Sequence, residues 1–584
     1  MQIIRIIHKF KYILSKHQKV RIVQLALMMV VGGILETFSI SLVLPFMNAV
    51  MNPEELMDKW YVKYICEALN IQSVNLFMAF LGILLSVLYI LKNAYLIIEY
   101  NIQYRFVYHN MFSMQRRLLQ TFISHPYEFF LNVNSGEIIR IINTDTYSAF
   151  SLLITLLGLF TEFVASFMLV AAIFVIAPLV TLAIMIVLIL LMLVIMVMIR
   201  PKLKNAGYDQ QLAGTGMNKW LLQSIQGIKE IKVLDKEDFF LKNYYNNGKV
   251  YIHSLRKSQT LSIVPRFLIE GISMGAMFLV VSFLILNGFE LEKVIPILTA
   301  VAMAAIRLLP SANRISSALA QVAYSEPMVD KVITNLQDME NYEHLKNNDH
   351  NIVCAEKKDL RLLRELSFER VSYHYPNVEE DILTEASLTI QRGESVGIIG
   401  PSGAGKTTSI DLLLGLLIPQ KGSICVDDID IHQNIGLWLQ QIGYIPQMIF
   451  MLDDTIRANV AFGEEPEEIS ENKIWEALSK AALDDYVRKL PKGLDTEIGE
   501  RGVRISGGQR QRIGIARALY RNPEILVFDE ATSALDHETE NAIMESIHNL
   551  HGQKTMIIIA HRLTTIESCD HIYRVEKGKI MLER

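Results

Sequence analysis

The apolar run from Leu152 to Ile199 constrains the fold of this chain more than any other feature of the sequence. The run contains a single charged residue, Glu162, and it is broken at Ala177-Pro178. A soluble core helix of this length would need a polar face, whereas a transmembrane helix needs about 20 mostly apolar residues. The run therefore predicts two membrane-spanning helices that are joined by a tight turn.

Further apolar segments of spanning length occur throughout the first 325 residues. The six predicted spans are about 22–50, 75–100, 147–176, 179–199, 260–287 and 294–320. The first of them is too long for a cleavable signal peptide and lacks a small-residue cleavage pattern. The sequence therefore predicts an all-α, six-helix transmembrane domain over residues 1–325.

The distribution of basic residues predicts the orientation of these spans. Residues 1–21 carry six Lys or Arg and no Asp or Glu, and residues 200–259 carry eleven against five. Basic flanks mark the cytoplasmic side, so both termini are expected there. The alternative for the basic N-terminus, nucleic-acid binding, is disfavoured beside an apolar span, and no nucleic-acid partner is expected. The acidic outer loop 51–74 is either an amphipathic helix on the membrane surface or a helix that caps the spans.

Composition separates this membrane domain from a second, soluble one. The averages of 51% hydrophobic and 20% charged residues combine two unlike halves. A polar stretch at 326–365 is predicted to be a linker, and residues 366–584 are predicted to form an α/β domain. The four cysteines have no metal-ligand spacing, and three of them fall in parts predicted to be cytosolic, which excludes a disulfide framework.

A phosphate-binding loop follows a predicted buried strand at 394–399 and precedes a predicted helix at 409–417. Its glycines allow backbone N–H groups to surround a phosphate at the positive end of the helix. Lys406 is expected to reach the β- and γ-phosphates, and Thr407 to bind Mg²⁺. The candidate nucleotide-binding residues here are Gly400, Ser402, Gly403, Ala404, Gly405, Lys406, Thr407 and Thr408.

A second candidate strand, 525–528, is entirely apolar and ends in Asp529-Glu530. Taken alone, this pattern is typical of any strand that meets a loop. After a phosphate loop, however, it predicts a buried parallel strand that delivers two carboxylates to the ligand crevice. Asp529 is a candidate ligand of Mg²⁺, directly or through water, and Glu530 is a candidate general base that activates the attacking water.

A third candidate element is Ser506-Gly507-Gly508-Gln509, which opens a predicted helix. A serine and two glycines at a helix start predict another anion-binding N-terminus. Two phosphate-binding devices in one chain are unusual for a simple kinase or GTPase.

Taken together, these motifs resemble the ATP-binding cassette (ABC) family over roughly 366–584. The residues at 444–447 resemble its Q-loop, whose Gln447 would sense Mg²⁺, and Ser506–Gln509 match its signature motif. Residues 533–536 resemble its D-loop, His561 its switch histidine, and Tyr375 the aromatic residue that stacks on adenine. The resemblance implies an ATPase with ATP and Mg²⁺ as cofactors, with Lys406, Glu530 and His561 as catalytic residues and Thr407, Gln447 and Asp529 at the metal.

One cassette and six spans resemble a half-transporter of the exporter type. The resemblance implies a homodimer in which the signature of one chain completes the ATP site of the other. It also implies a multi-pass protein of the bacterial inner (plasma) membrane with its ATPase domain in the cytoplasm. Coupling helices are expected near 124–137 and 222–233.

Charged residues inside the spans carry the remaining information about the substrate. They are Glu36, Lys92, Glu162, Arg266, Glu270, Arg307 and Arg314. Physical reasoning leaves two interpretations equally open: internal ion pairs, or a polar chamber whose arginines bind a pyrophosphate in a bidentate manner.

The segments around these charges, 36–46, 265–271 and 307–315, resemble the bacterial lipid-linked-oligosaccharide flippases. That resemblance implies an ATP-driven movement of a polyprenyl-pyrophosphate glycan from the inner to the outer leaflet of the membrane. The substrate candidates are then Arg266, Arg307 and Arg314, and the partners are membrane lipids and the lipid-linked glycan. The alternative function is an ABC exporter of peptides, drugs or other lipids.

Overall fold

The chain forms two compact units. The computed structural model describes residues 2–41, 46, 50, 62, 64, 73–176, 178–286, 309–338, 361–376, 378, 380–530, 551–559, 566–567 and 569–584. The first unit comprises Met1–His125 and Val133–Leu345, and the second comprises Pro126–Asn132 and Lys346–Arg584. A short segment of the N-terminal half therefore belongs to the C-terminal unit.

The described part of the first unit is helical. Its helices are α1 Gln2–Ile13, α2 Lys16–Ser41, α3 Val74–Ser124, α5 Ser135–Arg140, α6 Thr146–Ile176, α7 Pro178–Gln226, α8 Ile228–Val233, α9 Glu237–Leu286 and α10, residues 309–338. A π-helical turn, Ile141–Asp145, joins α5 to α6, and the second unit contributes α4, Tyr127–Asn132.

Three helices of the first unit, α3, α7 and α9, are much longer than the spans predicted for them. In the described part of the chain, four segments are long and apolar enough to cross a membrane: Lys16–Phe38, Val74–Ser124, Ser135–Met168 and Met185–Gln226. The fifth predicted span lies in α9. Residues 294–308 of the sixth, and almost all of the outer loop 51–74, lie outside the described residues.

The predicted linker begins too early. Residues 326–338 belong to α10, and Val329, Val332 and Leu336 of that segment are buried at helical spacing. The polar residues between these positions form the outer face of an amphipathic helix, and this face has the composition of a linker. The remainder of the predicted linker up to residue 360 lies outside the described residues.

A buried ion pair fixes the π-helical turn in the first unit. Arg140 pairs with Asp145, and both side chains are almost fully buried. Gln211 of α7 donates a second hydrogen bond to the same carboxylate oxygen, at 3.2 Å. Nearby, Lys331 of α10 pairs with Glu137 of α5 at 2.8 Å. The turn is therefore held to two long helices through polar contacts.

We expect Asp145→Asn to destabilise the protein by up to about 3–5 kcal/mol, because the buried Arg140 cation loses its close partner. Among the described residues, only the Glu137 carboxylate, 3.9 Å away, then remains as a counter-charge. Thermal unfolding of the detergent-purified protein would show a lower midpoint. The matched control is Asp209→Asn on α7, where the aspartate is exposed. Equal midpoints for the two variants would contradict the structural role of the pair.

The second unit contains two sheets. Its strands are β1 Glu365–Tyr373, β2 Leu383–Gln391, β3 Ser395–Ile399, β4 Lys421–Val426, β5 Ile429–Asp430, β6 Ile442–Ile445, β7 Ile525–Asp529, β8 Thr555–Ile559, β9 His571–Glu576 and β10 Lys579–Leu582. The antiparallel sheet has the order β2-β1-β4-β5. The larger sheet has the order β10-β9-β3-β8-β7-β6, and all its pairs are parallel except β9–β10.

Helices complete the second unit. They are α11 Lys406–Leu413, α12 Ile435–Gln440, α13 Ile456–Val460, α14 Glu471–Lys480, α15 Asp484–Lys489 and α16 Gly507–Tyr520, with 3₁₀ turns at Ile431–Asn434, Gly493–Asp495 and Glu500–Gly502. Together with the preceding helical unit, this α/β domain agrees with the predicted fold class.

The larger sheet buries a hydrophobic core on each face. Ile525 and Val527 of β7 belong to one core, and Leu526 and Phe528 belong to the other. Side chains of a strand alternate between faces, so both faces of β7 are covered. Helix α11 packs in the first core and α16 in the second. The two helices therefore lie on opposite faces of one sheet.

Candidate active site

The loop between β3 and α11 has the backbone of a phosphate cradle. Gly400 has φ of 152°, and a side chain there would collide with the carbonyl oxygen of Val575 in β9. Gly403 has φ of 79°, and the space where its side chain would begin is open. Ser402 and Gly403 are exposed, whereas Gly405 caps α11. The loop thus leaves room for an anion at the start of the helix.

The side chains of the loop point in different directions. Lys406 is buried, and its ammonium donates to the carbonyl oxygens of Gly400 at 2.8 Å and Pro401 at 3.1 Å. Thr407 is exposed at the first turn of α11, and Thr408 is buried. Lys406 and Thr407 therefore lie where a nucleotide phosphate and its metal could be held, and the donor set fits that group. The predicted helix start at 409 is corrected to Lys406, because Gly405 already caps the helix.

Tyr375 lies beside this loop. Its hydroxyl is 3.1 Å from the Thr408 hydroxyl, and its ring makes an edge-to-face contact with Tyr373 at 5.3 Å between centroids. The side chain is partly buried. The structure thus brings the predicted adenine-stacking residue to the phosphate loop, while the stacking itself stays a prediction.

Two carboxylates follow β7, as the sequence predicts. Asp529 is 5% exposed, and the Tyr444 hydroxyl donates to it at 3.4 Å. Burial raises the pKa of Asp529, and the neighbouring charge of Glu530 raises it further. Gln447 donates to the Glu530 carboxylate at 2.5 Å, and Glu530 has φ of 51°. Gln447 and Glu530 are therefore brought together in the folded chain.

Asp411 is a site residue that the sequence does not single out. It lies on α11, and burial raises its pKa to about 6, with the negative charge of Asp529 as the second cause. Its neighbours come from separate elements, because Tyr127 of α4 and Tyr444 of β6 also feel its charge. Only the folded arrangement reveals this cluster.

The signature segment opens α16. Ser506 accepts a hydrogen bond from the Gln509 N–H at 3.2 Å, and the Gln509 side chain accepts one from the Ser506 N–H at 2.9 Å. This capping box stabilises the helix start. Ser506 and Gly507 are exposed, while Ile505 is buried in the core. The exposed helix N-terminus fits an anion, as predicted.

Some predicted residues lie outside the described part of the chain. They are His561, Arg307 and the D-loop at 533–536. In the described residues, no cluster of three or more His, Cys, Asp or Glu could hold a metal ion. The predicted Mg²⁺ residues Thr407, Gln447 and Asp529 are of a kind that holds Mg²⁺ together with phosphate oxygens.

Both ranges predicted for coupling helices contain short helices. Helix α4 lies in the first range and belongs to the second unit, where the Tyr373 hydroxyl donates to Glu128 at 3.0 Å. Helix α8 lies in the second range and belongs to the first unit. The coupling role itself stays a prediction.

A cavity of about 960 Å³ lies within the first unit. Arg266 and Glu270 of α9 line it together with Glu162 of α6 and Arg314 of α10. The Arg314 guanidinium pairs with Glu162 at 2.5 Å. Two of the three predicted substrate arginines thus face one cavity.

Comparison with known proteins identifies the class. Residues 20–303 match the family model described as the ABC transporter transmembrane region, and residues 383–533 match the one described as ABC transporter. An uncharacterized ABC transporter ATP-binding protein of Sinorhizobium fredii is 30% identical over 483 residues, 80% of this chain and 78% of the relative. The chain therefore belongs to the ABC transporter family, and it is a multi-pass membrane protein with an ABC ATPase domain.

Other relatives carry more specific names. An ATP-dependent lipid A-core flippase of Methylobacillus flagellatus is 31% identical over 65% of this chain and 63% of its own length. Another, from Bordetella avium, is 38% identical over 37% of this chain and 36% of its own length. The matches thus span less than two thirds of these flippases.

A solved structure supports the fold. The structure of a bacterial Atm1-family ABC exporter with ATP bound has a TM-score of 0.72 and covers 96% of this chain and 94% of its own, with 24% sequence identity. The predicted exporter-type architecture is confirmed.

The pKa of Asp411 generates a prediction. Because its pKa is raised from 3.8 to about 6, the folded state binds this proton more tightly than the unfolded state. Stability from this group is therefore present below pH 4 and is lost as the pH rises through 6. We expect Asp411→Asn to raise the thermal midpoint relative to the wild type above pH 6, and to leave it equal near pH 4.

The measurement is thermal unfolding of the purified protein between pH 4 and pH 7.5, in EDTA and without nucleotide. Asp453→Asn, at an exposed aspartate, is the matched control. A difference between wild type and Asp411→Asn that does not change with pH would contradict the assignment.

Proposed function

We propose that the protein is an ATP-driven flippase that moves a polyprenyl-pyrophosphate glycan from the inner to the outer leaflet of the bacterial inner membrane. Both termini and the ATPase unit would then be cytoplasmic. The observation that carries the proposal is the placement of Arg266 and Arg314 on one cavity within the helical unit.

The cavity has the chemistry of an anion site in an apolar setting. Guanidinium groups bind phosphate oxygens in a bidentate manner, which gives both charge and geometry. Leu159, Met274 and Leu309 supply apolar walls in the same cavity. A lipid pyrophosphate matches both features, because its phosphates suit the guanidinium groups and its hydrocarbon chain suits the apolar walls.

The acidic residues of the cavity neutralise its arginines while no substrate is bound. Glu162 forms an ion pair with Arg314, and Glu270 lies one helical turn from Arg266 on the same helix. These carboxylates compensate the arginine charges within the membrane, where an unpaired charge is costly. An entering pyrophosphate would replace Glu162 at Arg314, so binding and release would be reversible.

The ATP site would be assembled from the residues described above. The loop 400–408 with Lys406 would hold the phosphates, and Thr407, Gln447 and Asp529 would hold Mg²⁺. The Glu530 carboxylate accepts a hydrogen bond from Gln447 at Oε2, which would orient it. This carboxylate would then accept the proton of the attacking water. Hydrolysis of bound ATP supplies the free energy for transport.

The geometry of the sheet supports a homodimer. The phosphate loop and the signature segment begin helices that pack on opposite faces of the larger sheet. Two helix N-termini in that arrangement do not converge on one phosphate within a chain. A second copy would bring its own signature to the phosphate loop, so that each ATP site uses both chains.

Export of another lipid is the second candidate. The lipid A-core flippases among the relatives favour it, and a phosphorylated glycolipid would also suit the cavity arginines. ATPase stimulation in nanodiscs by the polyprenyl-pyrophosphate glycan or by lipid A-core would discriminate between the two. Stimulation by hydrophobic peptides or drugs alone would contradict both.

We expect Arg266→Gln and Arg314→Gln each to lower kcat/KM for flipping in proteoliposomes by roughly 10–100-fold, because each removes a charge-assisted contact to phosphate. Basal ATPase activity should stay within a factor of two. Arg256→Gln, an exposed arginine on the same helix as Arg266, is the matched control. Unchanged flipping by both cavity variants would overturn the arginine site.

Glu530→Gln should reduce ATP hydrolysis by roughly 10²–10⁴-fold, because it removes the general base, and ATP binding should persist. In a homodimer both sites carry the substitution, so no active site remains. Phosphate release and nucleotide binding by the full chain in nanodiscs measure the two effects separately. Glu465→Gln, at an exposed glutamate, is the control, and substantial hydrolysis by Glu530→Gln would exclude this base.

A further inference from the structure

A second cavity, of about 360 Å³, lies between helices α2 and α3. The residues of α2 that line it are three or four positions apart, and they are Arg21, Gln24, Leu25 and Met28. On α3 it is lined from Ile102 to Asn110 with the same spacing. Residues at this spacing form one face of a helix, so the cavity is a groove between two helix faces.

Two hydrogen bonds between the helices define the direction of the groove. The Gln18 amide donates to Asn110 at 2.5 Å at one end, and the Tyr95 hydroxyl donates to the Met28 carbonyl at 2.9 Å at the other. The two helices are therefore antiparallel. Because the contacts fix their register, the walls of the groove are formed before any ligand binds.

Polarity changes along the groove in the same sense on both walls. Arg21 on α2 and Arg105 and His109 on α3 lie towards the Gln18–Asn110 end. Met28 and Ile102 lie towards the Tyr95 end. Arg21 and Met28 are about 10 Å apart along the helix axis, at 1.5 Å per residue. The groove is thus cationic at one end and apolar at the other.

The arginines of the groove are in no ion pair within the described part of the chain. Within the described ranges, Arg21 and Arg105 form no ion pair with a carboxylate, whereas Arg140, Lys204 and Arg314 of the same unit do. Asn110 is buried, and its amide is used by Gln18 and by the Phe106 carbonyl. The guanidinium groups therefore supply the donors that a ligand would meet.

We propose that this groove binds the phosphate of an anionic membrane lipid from the cytoplasmic leaflet. Arg21 immediately precedes the first predicted span and Arg105 follows the second, which places the cationic end at headgroup level in the proposed orientation. Basic pockets between transmembrane helices on the cytoplasmic side are suited to lipid headgroups. The apolar side chains of the groove, which include the buried Leu25 and Phe106 between its two ends, favour a lipid over a free phosphate ion.

The site is distinct from the cavity that contains Arg266 and Arg314, because the two cavities share no lining residue. The inference rests on the proposed orientation of the membrane unit and is independent of the transported substrate. A lipid held here would join α2 to α3 and would stabilise the resting protein.

The test is native mass spectrometry of the full-length protein in detergent, titrated with phosphatidylglycerol or with phosphatidylcholine of the same acyl chains. We expect preferential binding of phosphatidylglycerol. The double variant Arg21→Gln/Arg105→Gln should bind it roughly 30-fold more weakly. Lys16→Gln/Arg116→Gln removes two exposed charges from the same helices and should change the affinity less than threefold.

Two further variants test the charge and the apolar end of the groove separately. Arg21→Lys/Arg105→Lys should retain most of the affinity, and Met28→Trp, which fills the apolar end and keeps both arginines, should lose it. Equal losses in the double variant and its control, unchanged binding by Met28→Trp, or displacement of the lipid by millimolar inorganic phosphate would each overturn the proposal. Because no ATP or glycan is present, failure of the flippase assays would leave these results unchanged.

Discussion

Burial of β7 on both faces is the constraint on which the ATPase unit depends. Its apolar side chains divide between two hydrophobic cores, and the helices that open with the phosphate loop and the signature segment belong to different cores. A strand covered on both sides cannot place a carboxylate along its length without cost, so the charges appear where it ends. Asp529 and Glu530 occupy that end. The position of these carboxylates at the edge of the sheet therefore follows from the packing of one strand.

In the helical unit, too, buried or cavity-facing charges have to be neutralised or given a polar neighbour. Arg314 in the larger cavity is compensated by Glu162 on a neighbouring helix. Elsewhere in this unit, Arg140 and Asp145 make a buried pair, whereas Arg21 and Arg105 line a groove in which no described carboxylate pairs with them. The same residue type is thus buried in an ion pair in one place and left facing a cavity or groove in another, according to its neighbours.

Local signals made much of this architecture predictable. The phosphate loop, the strand that ends in Asp529 and the capped helix at Ser506 depend on a few adjacent residues, and the structure forms each of them. Helix ends were predicted less well, because α3, α7 and α10 continue beyond the apolar segments that reveal a span. Asp411 was beyond sequence reasoning, since its neighbours come from helices and strands far apart in the chain. The sequence offered a shared chamber for Arg266 and Arg314 only as one of two interpretations, and the Arg314–Glu162 pair was not predicted.

The contact between Gly400 and Val575 has a consequence for biosynthesis. The phosphate loop takes its shape against a strand that the ribosome makes much later than the loop itself, and β3 pairs with that strand. By then the helices of the membrane unit have already been synthesised. The order of synthesis therefore delays the final shape of the phosphate loop until most of the second unit has been made.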